Sequence, residues 1–239
     1  MAQKTNVVLV HGAWADGSSW SKVIPLLQQK GFNVTAAQIP LTSLADDIAV
    51  TRNLVAAQEG PTVLVGHSYA GVVISGAAND APNVEALVYI AAFALDEGES
   101  IEALSKQGPA PAGAAAVRPP DDHGFLWIGR DGFAKAFAAD ADPVEARVMA
   151  AVQKPLSINS FTARSGPPAW KHIPSWYMVA TEDQMIPPQA EEFMAKRMGA
   201  TVRSLSSSHA AMVSHPKEVS DLITLAAESI GKSTKPSLS

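Results

Sequence analysis

Short unbroken apolar runs recur along this chain, and each is followed by a stretch long enough for a helix. The first run is Val7-Val8-Leu9-Val10. Four consecutive apolar residues, mostly β-branched, suit a strand covered on both faces, because a half-exposed strand would alternate. Further strands are predicted over 33–37, 62–65, 86–90, 175–180 and 201–205. A helix is predicted over 17–30, with Trp20, Val23, Ile24 and Leu27 on one face and Gly31 as its stop. Another is predicted over 44–58, with Thr42 and Ser43 as cap candidates and Gly60-Pro61 closing it. Helices over 68–78, 188–198 and 217–230 complete the pattern. Strand–helix alternation implies right-handed crossovers and a mostly parallel sheet with helices on both faces.

The segment 96–173 breaks the alternation. It is rich in Pro and Ala, as in Gly108-Pro-Ala-Pro-Ala-Gly113, and holds only short helical pieces such as 132–139 and 143–153. It reads as a helical cap inserted over the carboxyl edge of the sheet, where open α/β sheets bind ligands. The expected division is a core of 1–95 with 174–231, a cap of 96–173 and a flexible tail of 232–239. Within the cap, 112–116 reads as linker.

Composition removes several classes. Net charge is −5 and the 18 Lys and Arg are scattered, so neither nucleic acid nor an anionic membrane is an expected partner. The chain has no Cys, which excludes disulfides and a thiolate nucleophile. No run approaches the ~18 apolar residues of a membrane span. The run at Val7 is too short for a signal-peptide core. A cytoplasmic location is therefore expected, although a chain that had lost a leader would read the same.

The most informative stretch is Leu64-Val-Gly-His-Ser-Tyr-Ala-Gly71. A serine on so tight a strand-to-helix turn is forced into a strained backbone and needs small neighbours, which Gly66, Ala70 and Gly71 supply. The turn lifts the Ser68 hydroxyl above the sheet. It also sets the Tyr69 N–H at a helix start, facing any oxyanion that develops there. Ser68 is the expected nucleophile.

With Val8-Leu-Val-His-Gly-Ala-Trp14, Gly66-His-Ser-Tyr-Ala70 and Ser208-His-Ala210 in place, the chain resembles the α/β-hydrolase superfamily along nearly its whole length. It is most similar to the branch of plant methylesterases, hydroxynitrile lyases and small bacterial esterases. That family usually has Gly where Ala70 stands. The resemblance implies an α/β-hydrolase fold with a six-stranded sheet that lacks two leading strands. It assigns the second oxyanion donor to Ala13, where Gly12 lets the backbone approach.

The triad order of this fold is serine, acid, histidine. Of six histidines, His209 lies soon after the strand at 201–205 among small residues, while His215 precedes Pro216 and reads as a helix-entry residue. His11 reads as a structural hydrogen-bonding residue. The acid should follow a strand and precede His209. Asp183 fits, in an Asp-x-x-Ile-Pro setting like the family's, with Glu182 and Asp96 as alternatives. Asp16, Asp46, Asp47 and Asp80 read as turn and capping acids.

These residues imply a serine carboxylesterase acting on a small-molecule ester through an acyl-enzyme. No cofactor is expected, and no His or Cys cluster suggests a metal. Hydroxynitrile lyases of the branch typically carry Thr where Gly12 stands and Lys where Ala210 stands, and both departures favour hydrolysis. A non-catalytic small-molecule receptor of the same fold is the contrasting class. Trp14, Phe93, Phe125 and Trp127 are candidate pocket walls, suited to small or medium apolar esters.

Overall fold

The computed structural model describes residues 4–230. Six strands form one sheet in the order β2-β1-β3-β4-β7-β8, and every pairing is parallel. In chain order β1 is Asn6–Val10, α1 Val23–Gln29, β2 Asn33–Ala36, α2 Leu44–Ala56, β3 Thr62–His67, α3 Ala70–Ala77 and β4 Val84–Ile90. The chain returns to the sheet with β7 (Ser175–Ala180), α8 (Pro188–Arg197), β8 (Thr201–Leu205), a short α9 (Ala211–Ser214) and α10 (Pro216–Ser229). Strand β1 lies between β2 and β3, so the order reverses there. Loops leaving β1 and β3 therefore diverge at the carboxyl edge, the usual binding crevice of such sheets.

The central strands are buried on both faces, as their unbroken apolar runs require. Leu9, Val65 and Val88 are fully enclosed, each stabilising the fold by roughly 1.5–3 kcal/mol. The edge strand β8 is exposed along most of its length and carries Thr201, Arg203 and Ser204, polar residues that discourage edge pairing. Among the described residues no helix is long and apolar enough to cross a membrane.

Local chemistry explains where boundaries differ from the expected ones. The helix expected over 17–30 is a 3-10 turn at Gly17–Trp20 followed by α1. Asp16 caps the turn by accepting the Ser18 N–H at 2.7 Å. Pro25 would clash with the Ser21 carbonyl in a continuous helix. Strand β3 runs on to His67, and α9 is an extra turn before α10.

Residues 96–173 fall between the neighbouring strands β4 and β7. They hold α4 (Ile101–Ser105), α5 (Arg130–Phe137), α6 (Pro143–Val152), α7 (Ile158–Thr162) and an antiparallel pair, β5 (Phe125–Leu126) with β6 (Leu156–Ser157). The ends of the segment are tied together, Gly98 N–H to Ser165 O at 2.8 Å and Ser165 N–H to Glu99 O at 2.7 Å. The segment also bonds to the sheet's carboxyl-edge loops, through Trp14 Nε1 to Leu126 O at 2.8 Å and Ser157 N–H to Leu41 O at 2.9 Å. The stretch 112–116, expected as linker, is a 3-10 turn with Gly113 buried and Ala112, Ala114 and Ala115 exposed. Gly113 donates to Gln184 O at 2.7 Å, and a Cβ at Gly113 would stand 2.5 Å from that oxygen. The expected tail at 232–239 lies outside the described residues.

Candidate active site

Ser68 follows β3 with φ of 54°, a left-handed conformation costing a non-glycine residue about 1–3 kcal/mol. Close packing holds it there. A Cβ at Gly66 would stand 2.7 Å from Ala70 O, and one at Gly71 would clash with Phe93 O. The Ser68 carbonyl accepts from Gly71 N–H and Phe93 N–H, at 3.0 and 3.1 Å. The side chain of Ala70 fits the turn fully buried.

His209 reaches Ser68 from the loop between β8 and α9. Its Nε2 lies 2.8 Å from Ser68 Oγ, and its Nδ1 lies 2.5 Å from Asp183 Oδ2. With an ionised carboxylate on Nδ1, that nitrogen carries the proton and donates it. Nε2 is left with its lone pair toward the serine hydroxyl. Asp183 sits in the loop after β7. Its Oδ1 accepts from Met185 and Ile186 N–H at 2.6 and 2.9 Å. Burial pushes this carboxyl upward, but the His209 ring and the hydrogen bonds outweigh it and hold Asp183 below its usual range. Of the alternative acids, Glu182 is exposed and accepts from Ser206 Oγ, while Asp96 pairs with Lys171 at the surface. Neither meets His209.

Two further histidines brace this arrangement. His67 Nε2 donates to the His209 carbonyl at 2.9 Å, and the two rings lie 4.7 Å apart. Burial, with His209 close by, lowers His67 to about 3. His11 is equally enclosed. Ile39 N–H donates to its Nε2 at 3.1 Å, so its Nδ1 donates to Gly12 O at 2.9 Å. Burial lowers it to about 4. Both rings are neutral near pH 7 and serve as hydrogen-bonding struts.

Ala13 and Tyr69 follow β1 and β3 at the carboxyl edge, and both are buried. Among the described residues neither backbone N–H donates to any protein acceptor. Buried N–H groups are nearly always paired, so two without a protein acceptor on the loops that flank Ser68 are unusual. Gly12 permits the close approach of these loops: a Cβ there would lie 2.8 Å from Ser68 Cβ and 2.9 Å from His67 O. Tyr69 is anchored through its hydroxyl, which donates to Asp47 Oδ2 at 2.6 Å. Asp47 also accepts Leu41 N–H at 2.7 Å. Asp47 is thus a buried tie between α2 and the serine turn, not the capping acid expected; Ser43 caps α2.

The expected pocket residues do not gather. Phe93 lines an apolar cavity of about 430 Å³ with Leu104, Met185, Ile186 and Phe193. Trp14 borders a separate cleft beside Met149 and Val152. Trp127 lies half-exposed on a third, its indole N–H bonded to Asp121 Oδ2 at 2.9 Å. Phe125 is half-buried in β5. Sequence reasoning also passed over Asp140 and Glu191. Asp140 accepts from Ser208 N–H at 3.1 Å and from Ser208 Oγ, beside His209, and reaches His215 Nε2 at 3.1 Å. Glu191 lies fully buried in the first turn of α8. One signal was available for it: Glu191 shares a helix face with Met194, Ala195 and Met198, so its carboxyl points into the core.

An all-parallel sheet that carries Ser68 and His209 on loops at its carboxyl-edge switch point has the ligand-binding layout of open α/β folds. The profile described as "Alpha/beta hydrolase family" matches residues 7–222, and the chain belongs to that family. It is 27% identical to a pyrethroid hydrolase of Sphingobium wenxiniae, over 92% of this chain and 86% of that one. It is 23% identical to methylesterase 1 of Arabidopsis thaliana, over 92% and 94%. The crystal structure of polyneuridine aldehyde esterase superimposes with a TM-score of 0.83 at 20% identity, covering 94% of this chain and all of that one.

Proposed function

We propose that this protein is a serine carboxylesterase that cleaves small or medium apolar esters through an acyl-enzyme. The observation that carries the reading is the buried hydrogen-bonded series Ser68 Oγ, His209 Nε2, His209 Nδ1, Asp183 Oδ2. In the proposed reaction His209 takes the Ser68 proton as Oγ attacks the ester carbonyl. The oxyanion is received by the Ala13 and Tyr69 N–H groups, which among the described residues have no protein acceptor to give up. The alcohol leaves with the proton held on His209. Water, deprotonated by His209, then releases the acid. Asp183 keeps the imidazole in one tautomer and offsets its charge when protonated.

The apolar part of the substrate is assigned to the cavity beside Phe93. Its wall starts at a residue whose N–H bonds to the Ser68 carbonyl, and among the described residues no charged side chain lines it. In this reading the segment 96–173 is a cap closing the carboxyl edge of a core made by its flanking segments. The relatives named as esterases and hydrolases agree in reaction class. A lyase reading meets an obstacle at Gly12, where even a Cβ crowds Ser68.

The test is turnover of para-nitrophenyl acetate and butyrate by the wild type beside Ser68→Ala. The expected outcome is burst kinetics in the wild type and a loss of about a thousandfold or more in a folded Ser68→Ala variant. Equal turnover in both proteins would refute a serine mechanism.

A further inference from the structure

Behind Asp183 stands a second carboxyl group that the proposed mechanism does not use. Glu191, in α8, is completely enclosed. Its Oε2 accepts the N–H of Ala180, the last residue of β7, at 3.0 Å. No donor faces its Oε1. Glu191 and Asp183 both anchor on Ala180, Asp183 donating its own N–H to the Ala180 carbonyl at 3.2 Å, and the charge of each carboxyl acts on the other. Two buried carboxylates so placed cannot both stay ionised, since each would accept and neither donate.

Chemistry decides which one keeps a proton. Asp183 faces the His209 Nδ1–H and two backbone N–H groups, all donors that favour its ionised form. Glu191 has one backbone donor. The other titratable groups facing it are Tyr177 of β7, whose hydroxyl bonds to Ala92, and Glu192 next along α8. Among the described residues no Lys, Arg or His comes within ion-pair distance of it. We infer that Glu191 is a positioning residue, a neutral carboxylic acid that donates its O–H to Asp183 and holds that carboxylate in line with His209. Burial, then the charge of Asp183, pushes the Glu191 carboxyl well above its usual range, in keeping with this role. The arrangement also leaves the buried site with one negative charge to match one imidazolium.

The role rests on the reading of Ser68, His209 and Asp183 as the reacting series, so the test includes Ser68→Ala. Glu191→Gln keeps a donor for Asp183 and an acceptor for Ala180 N–H. Glu191→Met keeps the volume and removes both. With para-nitrophenyl butyrate, Glu191→Gln is expected to retain kcat within about twofold and to leave the acid limb of kcat/KM in place. Glu191→Met is expected to lose kcat about tenfold, the worth of one hydrogen bond to a charged group, with KM unchanged and the acid limb displaced. Infrared spectra at pH 7 should show a protonated-carboxyl C=O stretch in the wild type that Glu191→Gln lacks.

Absence of that band, or an acid limb that moves down in Glu191→Gln, would mean that Glu191 is ionised and the inference fails. A folded Glu191→Met with wild-type kcat would overturn it too. If Glu191→Met does not fold, the infrared comparison decides alone. Full activity in Ser68→Ala would instead remove the triad reading beneath it.

Discussion

At the scale of single residues, the proposed function rests on groups whose freedom has been taken away. Asp183 is tied by three hydrogen bonds, so replacing its charge without changing its shape is an informative experiment. Asp183→Asn should fold and lose on the order of 10³- to 10⁴-fold in kcat, because the amide favours the wrong imidazole tautomer. Asp96→Asn, which touches only the surface Lys171 pair, should stay near wild-type activity. Comparable losses in both variants would contradict the assignment of the acid. That Ser68, Asp183 and His209 come together was legible in the sequence because each sits in a local pattern: small residues around a turn, an acid just past a strand, a histidine in a small-residue loop. Asp47 was not, because it reads as one of two adjacent first-turn acids. Only packing separates Asp46, which faces solvent, from Asp47, which faces Tyr69.

At the scale of elements, the loop carrying His209 depends on the segment between β4 and β7. Asp140, after α5, accepts from both the backbone and the hydroxyl of Ser208. Burial pushes the Asp140 carboxyl up, but the Ser208 bonds outweigh this and keep it below its usual range. Asp140→Ala removes charge-assisted bonds worth about 1.5–3 kcal/mol. The expected outcome is a kcat reduced several-fold, little change in KM and faster amide exchange at 207–210. Unchanged exchange there would show that the loop holds itself. No local pattern marks Asp140, since 68 residues separate it from Ser208. The strands and most helices were readable from apolar runs and caps, whereas the split of the first helix follows from Pro25. The four candidate pocket residues scattered because pattern reading can find aromatics but not the direction in which a short cap element turns them.

At the scale of the whole molecule, buried groups of opposite sign shape how stability follows pH. His11 and His67 are lowered to about 4 and about 3 from an ordinary 6.5. Below pH 6.5 the unfolded chain therefore binds protons that the folded chain refuses, and stability falls as pH drops toward 4. Glu191 acts with the opposite sign. Its carboxyl is raised, so above its ordinary 4.5 the folded chain keeps a proton that the unfolded chain releases, and stability falls as pH rises. Between these limits the two imidazoles oppose Glu191 and the buried, likewise raised Asp47. Urea midpoints at pH 5 and pH 7 should therefore fall more steeply on acidification in Glu191→Gln than in the wild type. The difference should be roughly 1.4 kcal/mol per pH unit, the slope of one proton. Parallel slopes for the two proteins would show that Glu191 does not hold its proton.

The strand order has a temporal side. Ser68 precedes its histidine by 141 residues, and the two meet only through β7 and β8, on the far side of β4. During synthesis the serine turn can pack against β1 and β4 long before any base exists. Until then its hydroxyl is an ordinary alcohol, no more reactive than any other serine. In the proposed mechanism reactivity thus arrives with the final docking of strands, so a nascent or partly folded chain would carry no unguarded nucleophile.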